Sequence, residues 1–158
     1  MAGKNHRYSV AVTWTGNRGT GTSSYRAYGR DHMIAAAGKP EIPGSSDPAF
    51  LGDPARWNPE EMLVASVSTC HQLWYLHLAS AAGIRVVAYE DKPVGVMAED
   101  PNGSGRFTSV TLYPIVTVEA GADLAKAAGL HHDAHALCFI ANSVKFPIEC
   151  IPEVRVEN

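Results

Sequence analysis

Large apolar residues alternate with small or polar ones over Tyr8-Ser9-Val10-Ala11-Val12-Thr13-Trp14, the two-residue period of a half-buried strand. Gly16-Asn17-Arg18-Gly19 supplies a turn, and a second extended segment is expected from about Thr22 to Ala35, so the chain opens as a hairpin. Lys39 to Trp57 is dense in Pro, Gly, Ser and Asp and reads as a long loop. At Asn58 the period changes. Asn58 is a cap, Pro59 suits a first helical turn, and Glu60 and Glu61 complement the positive end of the helix dipole. Leu63, Val67, Cys70, Trp74 and His77 then recur at 3-4 spacing, which predicts a helix with Cys70 inside its apolar stripe, stopping at Gly83. Short strands are expected over Ile84–Glu90, Val94–Ala98 and Phe107–Val118, with a turn at Asp100–Gly105. A second helix runs from Asp123, breaks near Gly129 and resumes through Leu130, Ala134, Leu137, Ala141 and Val144, with Cys138 at its flank. Ile148–Val156 closes the chain as one strand. The pattern is that of an α+β fold with a mostly antiparallel sheet.

Composition narrows this picture. At 158 residues and 46% hydrophobic, the chain can bury one well-formed core, and a single domain over 1–158 is expected. A net charge of −3 without a Lys/Arg cluster argues against nucleic acid as a partner. Met62 to Ile84 contains no Asp, Glu, Lys or Arg, yet His71, Gln72, His77 and several hydroxyl side chains interrupt it. It therefore reads as a helix buried in protein, not in a membrane. No apolar run follows the first charges, so no signal peptide is expected. Three cysteines without an export signal point to a reducing, cytoplasmic setting, where a disulfide is more often catalytic than structural.

Candidate chemistry centres on Cys70 and Cys138, 68 positions apart, each with a histidine close by in sequence. Two such thiols can cycle between reduced and disulfide states. The competing reading is core packing, because burial raises a thiol's pKa and makes it a poor nucleophile. A reactive Cys70 needs a cation beside it, and an arginine serves better than His71, which points about 100° away around the helix. His131, His135 and Cys138 share a helix face as His-x-x-x-His-x-x-Cys, and zinc would need a fourth ligand from Cys70, His71 or Cys150. Neither helix carries the close spacing of a recognisable zinc motif, so no metal and no bound cofactor are expected.

Asn58-Pro59-Glu60-Glu61-Met62-Leu63 leading into Cys70, together with Ala134-His135-Ala136-Leu137-Cys138 and the hairpin Trp14-Thr15-Gly16-Asn17-Arg18-Gly19, resembles the OsmC/Ohr family of thiol-dependent hydroperoxide reductases. The resemblance implies an intertwined homodimer of α+β subunits with long central helices and active sites at the subunit interface. It places the reactive cysteine on Cys70, the resolving cysteine on Cys138 and the supporting glutamate on Glu60. The activating arginine falls on Arg18, with Arg26, Arg30 and Arg56 as competitors. The substrates it implies are an organic hydroperoxide, or hydrogen peroxide, and a thiol reductant such as a dithiol. Two segments depart from the family pattern: Phe139-Ile140-Ala141 after the resolving cysteine, and the long loop containing Gly44-Ser45-Ser46-Asp47-Pro48. Outside the peroxidase class, the alternatives are a thiol-based redox sensor or small-molecule binding module with slow turnover, and a metal-stabilised structural protein. Glu60 stands ten residues before Cys70, about 15 Å along a straight helix, so any role toward that thiol runs through a bend or a partner subunit.

Overall fold

In the computed structural model, which describes residues 3–158, the alternating opening segment becomes strand β1 over Ala11–Trp14, pairing antiparallel with β2, His32–Ala35. The hairpin is present, but its second strand is much shorter than the pattern predicts. Residues 15–31 are mostly turns, because the backbone folds onto itself where Gly29 N–H donates to the Gly16 carbonyl at 2.8 Å. A side chain on Gly16 would collide with the Gly29 carbonyl. The loop after β2 holds a third strand, β3 over Ile42–Gly44, and a 3-10 turn over Pro48–Phe50 that Asp47 caps through the Ala49 N–H. These elements make up the first of two compact units, residues 1–62, with sheet order β1-β2-β3.

The second unit, residues 63–158, is built on two helices and two three-stranded sheets. Helix α1, Pro59–Ala81, starts on a reciprocal cap: the Asn58 side chain accepts from Glu61 N–H at 2.8 Å, and Asn58 N–H donates to Glu61 Oε2 at 3.3 Å. It ends at Gly83, which takes the left-handed conformation (φ 73°) that a helix stop favours. Its buried face runs through Val67, His71, Tyr75 and Ala79, one step around from the expected stripe. Cys70 and Trp74 lie half-buried on the flank, and His77 is exposed.

Strands β4 (Val86–Glu90), β7 (Ile115–Val118) and β9 (Glu153–Val156) form one sheet, and β5 (Val94–Glu99), β6 (Gly105–Leu112) and β8 (Ile148–Cys150) the other. Two single strands expected from sequence are each split in two, at Tyr113-Pro114 and at Ile151-Pro152. Proline cannot donate to a ladder, so the chain changes sheet there. The split pieces travel together, β6 with β8 and β7 with β9, both parallel, so the sheets are mixed although most pairings are antiparallel.

Helix α2, Leu124–Leu137, is capped by Asp123 and passes through Gly129 without a break. The helix stops where the sequence pattern continues: Cys138 is the C-cap with extended backbone (φ −67°, ψ 113°), followed by a 3-10 turn at Ala141–Ser143. Tyr75, Ala79, Val116, Val118, Ala127, Leu130 and Ala134 close one apolar cluster between the helices and the β4-β7-β9 sheet. Val67, Val110 and Leu112 form another, flanked by Phe107, Phe146, Ile148 and Cys150. No helix among the described residues is long and apolar enough to cross a membrane.

Candidate functional site

The backbone turn that ends α2 fixes the first group of side chains. Cys138, fully buried at that turn, lies beside the Cys70 thiol of α1 and accepts from the Ala141 N–H at 3.4 Å. Burial pushes the Cys138 thiol up to about 11, partly offset by the Ala141 amide, and the Cys70 sulfur raises it further. Cys138 therefore stays protonated at neutral pH while Cys70 is the half-exposed member of the pair. Both are free thiols. Trp74 and Phe139 meet edge to face with ring centroids 5.6 Å apart. Leu73, Trp74 and His77 line an open apolar hollow of about 250 Å³ one turn further along α1. Leu73 and Phe139 are 67% and 69% exposed, so apolar surface remains uncovered beside Cys70 and Cys138 in sequence.

A second group lies on the buried face of α1, and it joins His131 to His71 and Cys150, which the sequence offered only as fourth-ligand alternatives. His71 Nε2 and His131 Nδ1 are 2.9 Å apart, their rings nearly coplanar at 6°. Cys150 Sγ on β8 sits 3.7 Å from the first and 3.9 Å from the second. Tyr75 stacks on the His131 ring, centroids 4.0 Å apart, and anchors itself by donating its hydroxyl to the Ala127 carbonyl at 3.0 Å. Burial lowers His71 to about 4 against the opposing pull of Asp91, and burial with His71 beside it lowers His131 to about 3, so both rings are neutral. Burial, helped by the Asp91 charge, pushes the Cys150 thiol to about 12. Asp91 accepts from Ser68 Oγ at 2.5 Å and from Tyr113 N–H at 2.7 Å. The series His131, His135, Cys138 is not brought together as a ligand set. Among the described residues the donor atoms within mutual reach are those of His71, His131 and Cys150.

The first unit holds the candidate arginines. Arg56 is engaged by Asp31 at 3.5 Å and Asp53 at 3.7 Å, and Arg30 lies over the Tyr25 and Tyr28 rings while donating to both carbonyls. Arg18 and Arg26 are exposed and form no ion pair among the described residues. Glu60 is half-buried in the first turn of α1, where the cap is completed by its neighbour Glu61.

A family model described as OsmC-like protein matches residues 52–153. An OsmC-like protein of unknown function from Vibrio cholerae is 30% identical, with a TM-score of 0.84 over 94% of this chain and 99% of that one. An organic hydroperoxide resistance protein from Elizabethkingia anophelis superposes with a TM-score of 0.65 at 20% identity, over 98% of this chain and 99% of that one. An organic hydroperoxide resistance protein OsmC from Legionella pneumophila gives a TM-score of 0.66 at 16% identity, over 98% of this chain and 100% of that one. No curated protein matches this chain.

Proposed function

Because this chain belongs to the OsmC-like family, we propose that it is a thiol-dependent peroxidase that reduces organic hydroperoxides through Cys70 and Cys138. The carrying observation is the pair itself, a half-exposed thiol beside a fully buried one. The Cys70 thiolate attacks the terminal peroxide oxygen, the O–O bond breaks, and the alcohol leaves with a proton, giving a sulfenic acid on Cys70. Cys138, held protonated by burial until then, attacks that sulfur; its proton and the sulfenic hydroxyl leave as water and a disulfide forms. An external dithiol returns both thiols by exchange. No bound cofactor enters the cycle.

Arg18 is the cation assigned to the Cys70 thiolate. The reading is supported by Arg30 and Arg56 being committed to partners within their own unit, while Arg18, like Arg26, forms no ion pair among the described residues. Glu60 is assigned to hold that guanidinium by a paired hydrogen bond. The apolar side chains Leu73, Trp74 and Phe139 favour an alkyl hydroperoxide over hydrogen peroxide.

The test is peroxide consumption at substoichiometric protein, crossing organic and hydrogen peroxides with mono- and dithiols. Catalytic consumption that disappears in Cys70→Ser is expected. Cys138→Ser is expected to stop dithiol recycling and to accumulate over-oxidised Cys70, seen as added oxygen mass on that peptide. Consumption of a single equivalent of peroxide per chain, without turnover, would assign the protein to the redox sensors instead.

A further inference from the structure

We propose that His71, His131 and Cys150 form a zinc-class metal site, built from α1, α2 and β8 and separate from the Cys70–Cys138 pair. Three donor atoms separated by 2.9, 3.7 and 3.9 Å lie on a circle of radius about 2.1 Å. An ion at its centre therefore meets all three at close to the usual zinc–nitrogen and zinc–sulfur lengths of about 2.0–2.3 Å. A tetrahedral arrangement asks the two ring nitrogens to part by only a few tenths of an ångström. Two imidazoles and one thiolate are borderline-soft donors, which suits zinc and disfavours calcium or magnesium.

Three features prepare the site. Tyr75 fixes the orientation of the His131 ring by stacking on it, with centroids 4.0 Å apart. Asp91 brings a negative charge close to both His71 and Cys150, and with its hydrogen bonds taken up by Ser68 and Tyr113 it forms no ion pair among the described residues. It therefore offsets the net positive charge of a dication held by one thiolate. A cleft of about 300 Å³, lined by His131, Cys150, His132, His135, Ile148 and Pro152, opens beside two of the three ligands and gives an ion and its fourth, solvent ligand a way in.

Binding replaces the Cys150 thiol proton, which goes to solvent, so affinity rises with pH. The bound ion also removes Cys150 from thiol exchange, leaving Cys70 and Cys138 as the pair able to oxidise. No short spacing announces the site, since its ligands come from three distant segments.

The experiment uses chelator-treated full-length protein in a Cys70→Ser/Cys138→Ser background, so its outcome does not depend on the peroxidase reading. Titration with Co²⁺ is expected to show one equivalent bound per chain, with tetrahedral visible absorption and a thiolate-to-cobalt charge-transfer band, both abolished by Zn²⁺. Cys150→Ser is expected to remove the charge-transfer band, and His131→Asn to weaken binding at least tenfold. As a check that needs no substitution in the site, Zn²⁺ is expected to slow alkylation of Cys150 at least tenfold. Absence of one-to-one uptake, a charge-transfer band that survives in a folded Cys150→Ser protein, or unchanged Cys150 alkylation with Zn²⁺ overturns the site.

Discussion

Single residues set the acid limit of this protein. His71 and His131 have folded pKa values lowered to about 4 and about 3, against 6.5 in the unfolded chain, with burial the main cause. Below pH 6.5 the unfolded chain therefore takes up protons that the folded chain refuses, so stability is complete above that pH and is lost as pH falls toward 4. Asp91, His135, Tyr75 and Cys150 are the titratable groups around the two rings, and only Asp91 opposes the shift of His71. For metal-free protein, thermal melts at pH 7.5 and pH 5.0 are expected to show a marked fall in Tm, and His131→Gln to flatten the profile. A wild-type Tm independent of pH over that interval would contradict the burial of two neutral rings. These histidines were poorly legible in the sequence for a physical reason. Local spacing reports which residues share a face, so His131, His135 and Cys138 stood out. His71 and Cys150 meet His131 only through contacts 60 and 19 residues apart. The available signal was the four-residue recurrence of Val67, His71, Tyr75 and Ala79, which outlines the buried face of α1.

At the level of elements, start signals were more legible than stops. The Asn58 cap and the Gly83 terminator bound α1 as the sequence predicts, because capping is decided by atoms a few residues apart. Gly129 was expected to break α2 and does not, since Asp123 caps the helix and buried Ala127, Leu130 and Ala134 hold it against the sheet on both sides of the glycine. Tertiary packing outweighs a propensity cost of about 1 kcal/mol. The overrun past Leu137 has the opposite cause. The apolar 3-4 pattern continues through Ala141 and Val144, but the chain turns at Cys138 and exposes Phe139. Gly129→Ala provides a direct check on the continuous helix. A Cβ at this exposed position meets nothing within 4 Å, so the substitution is expected to stabilise by about 0.5–1 kcal/mol and to raise Tm by about 1–4 °C. A fall in Tm would mean that the glycine carries a conformation or a contact that a continuous helix does not require.

For the whole molecule, the open quantity is how many chains assemble. Leu73 and Phe139, together with Leu137 at 42% and Leu124 at 40%, leave large apolar side chains in solvent along the two helices and at the turn that ends α2. Scattered exposed apolars are ordinary, whereas Leu73 and Phe139 flank the two cysteines in sequence and Phe139 packs against the Trp74 ring. A second copy of the chain covering this surface would also lower the polarity around Cys70, favouring alkyl peroxides. Sedimentation at micromolar concentration is expected to show a homodimer. Leu73→Lys, which places a charge on an exposed helix position, is expected to weaken the dimer at least tenfold while leaving the far-ultraviolet spectrum of the monomer unchanged. Because the thiol pair lies within one chain, disulfide formation on mixing with one equivalent of peroxide is expected to survive in the monomeric variant even where multiple turnover slows. A parent protein that sediments as a monomer would remove the dimer, and loss of disulfide formation in a folded Leu73→Lys monomer would show that the partner chain takes part in the chemistry itself.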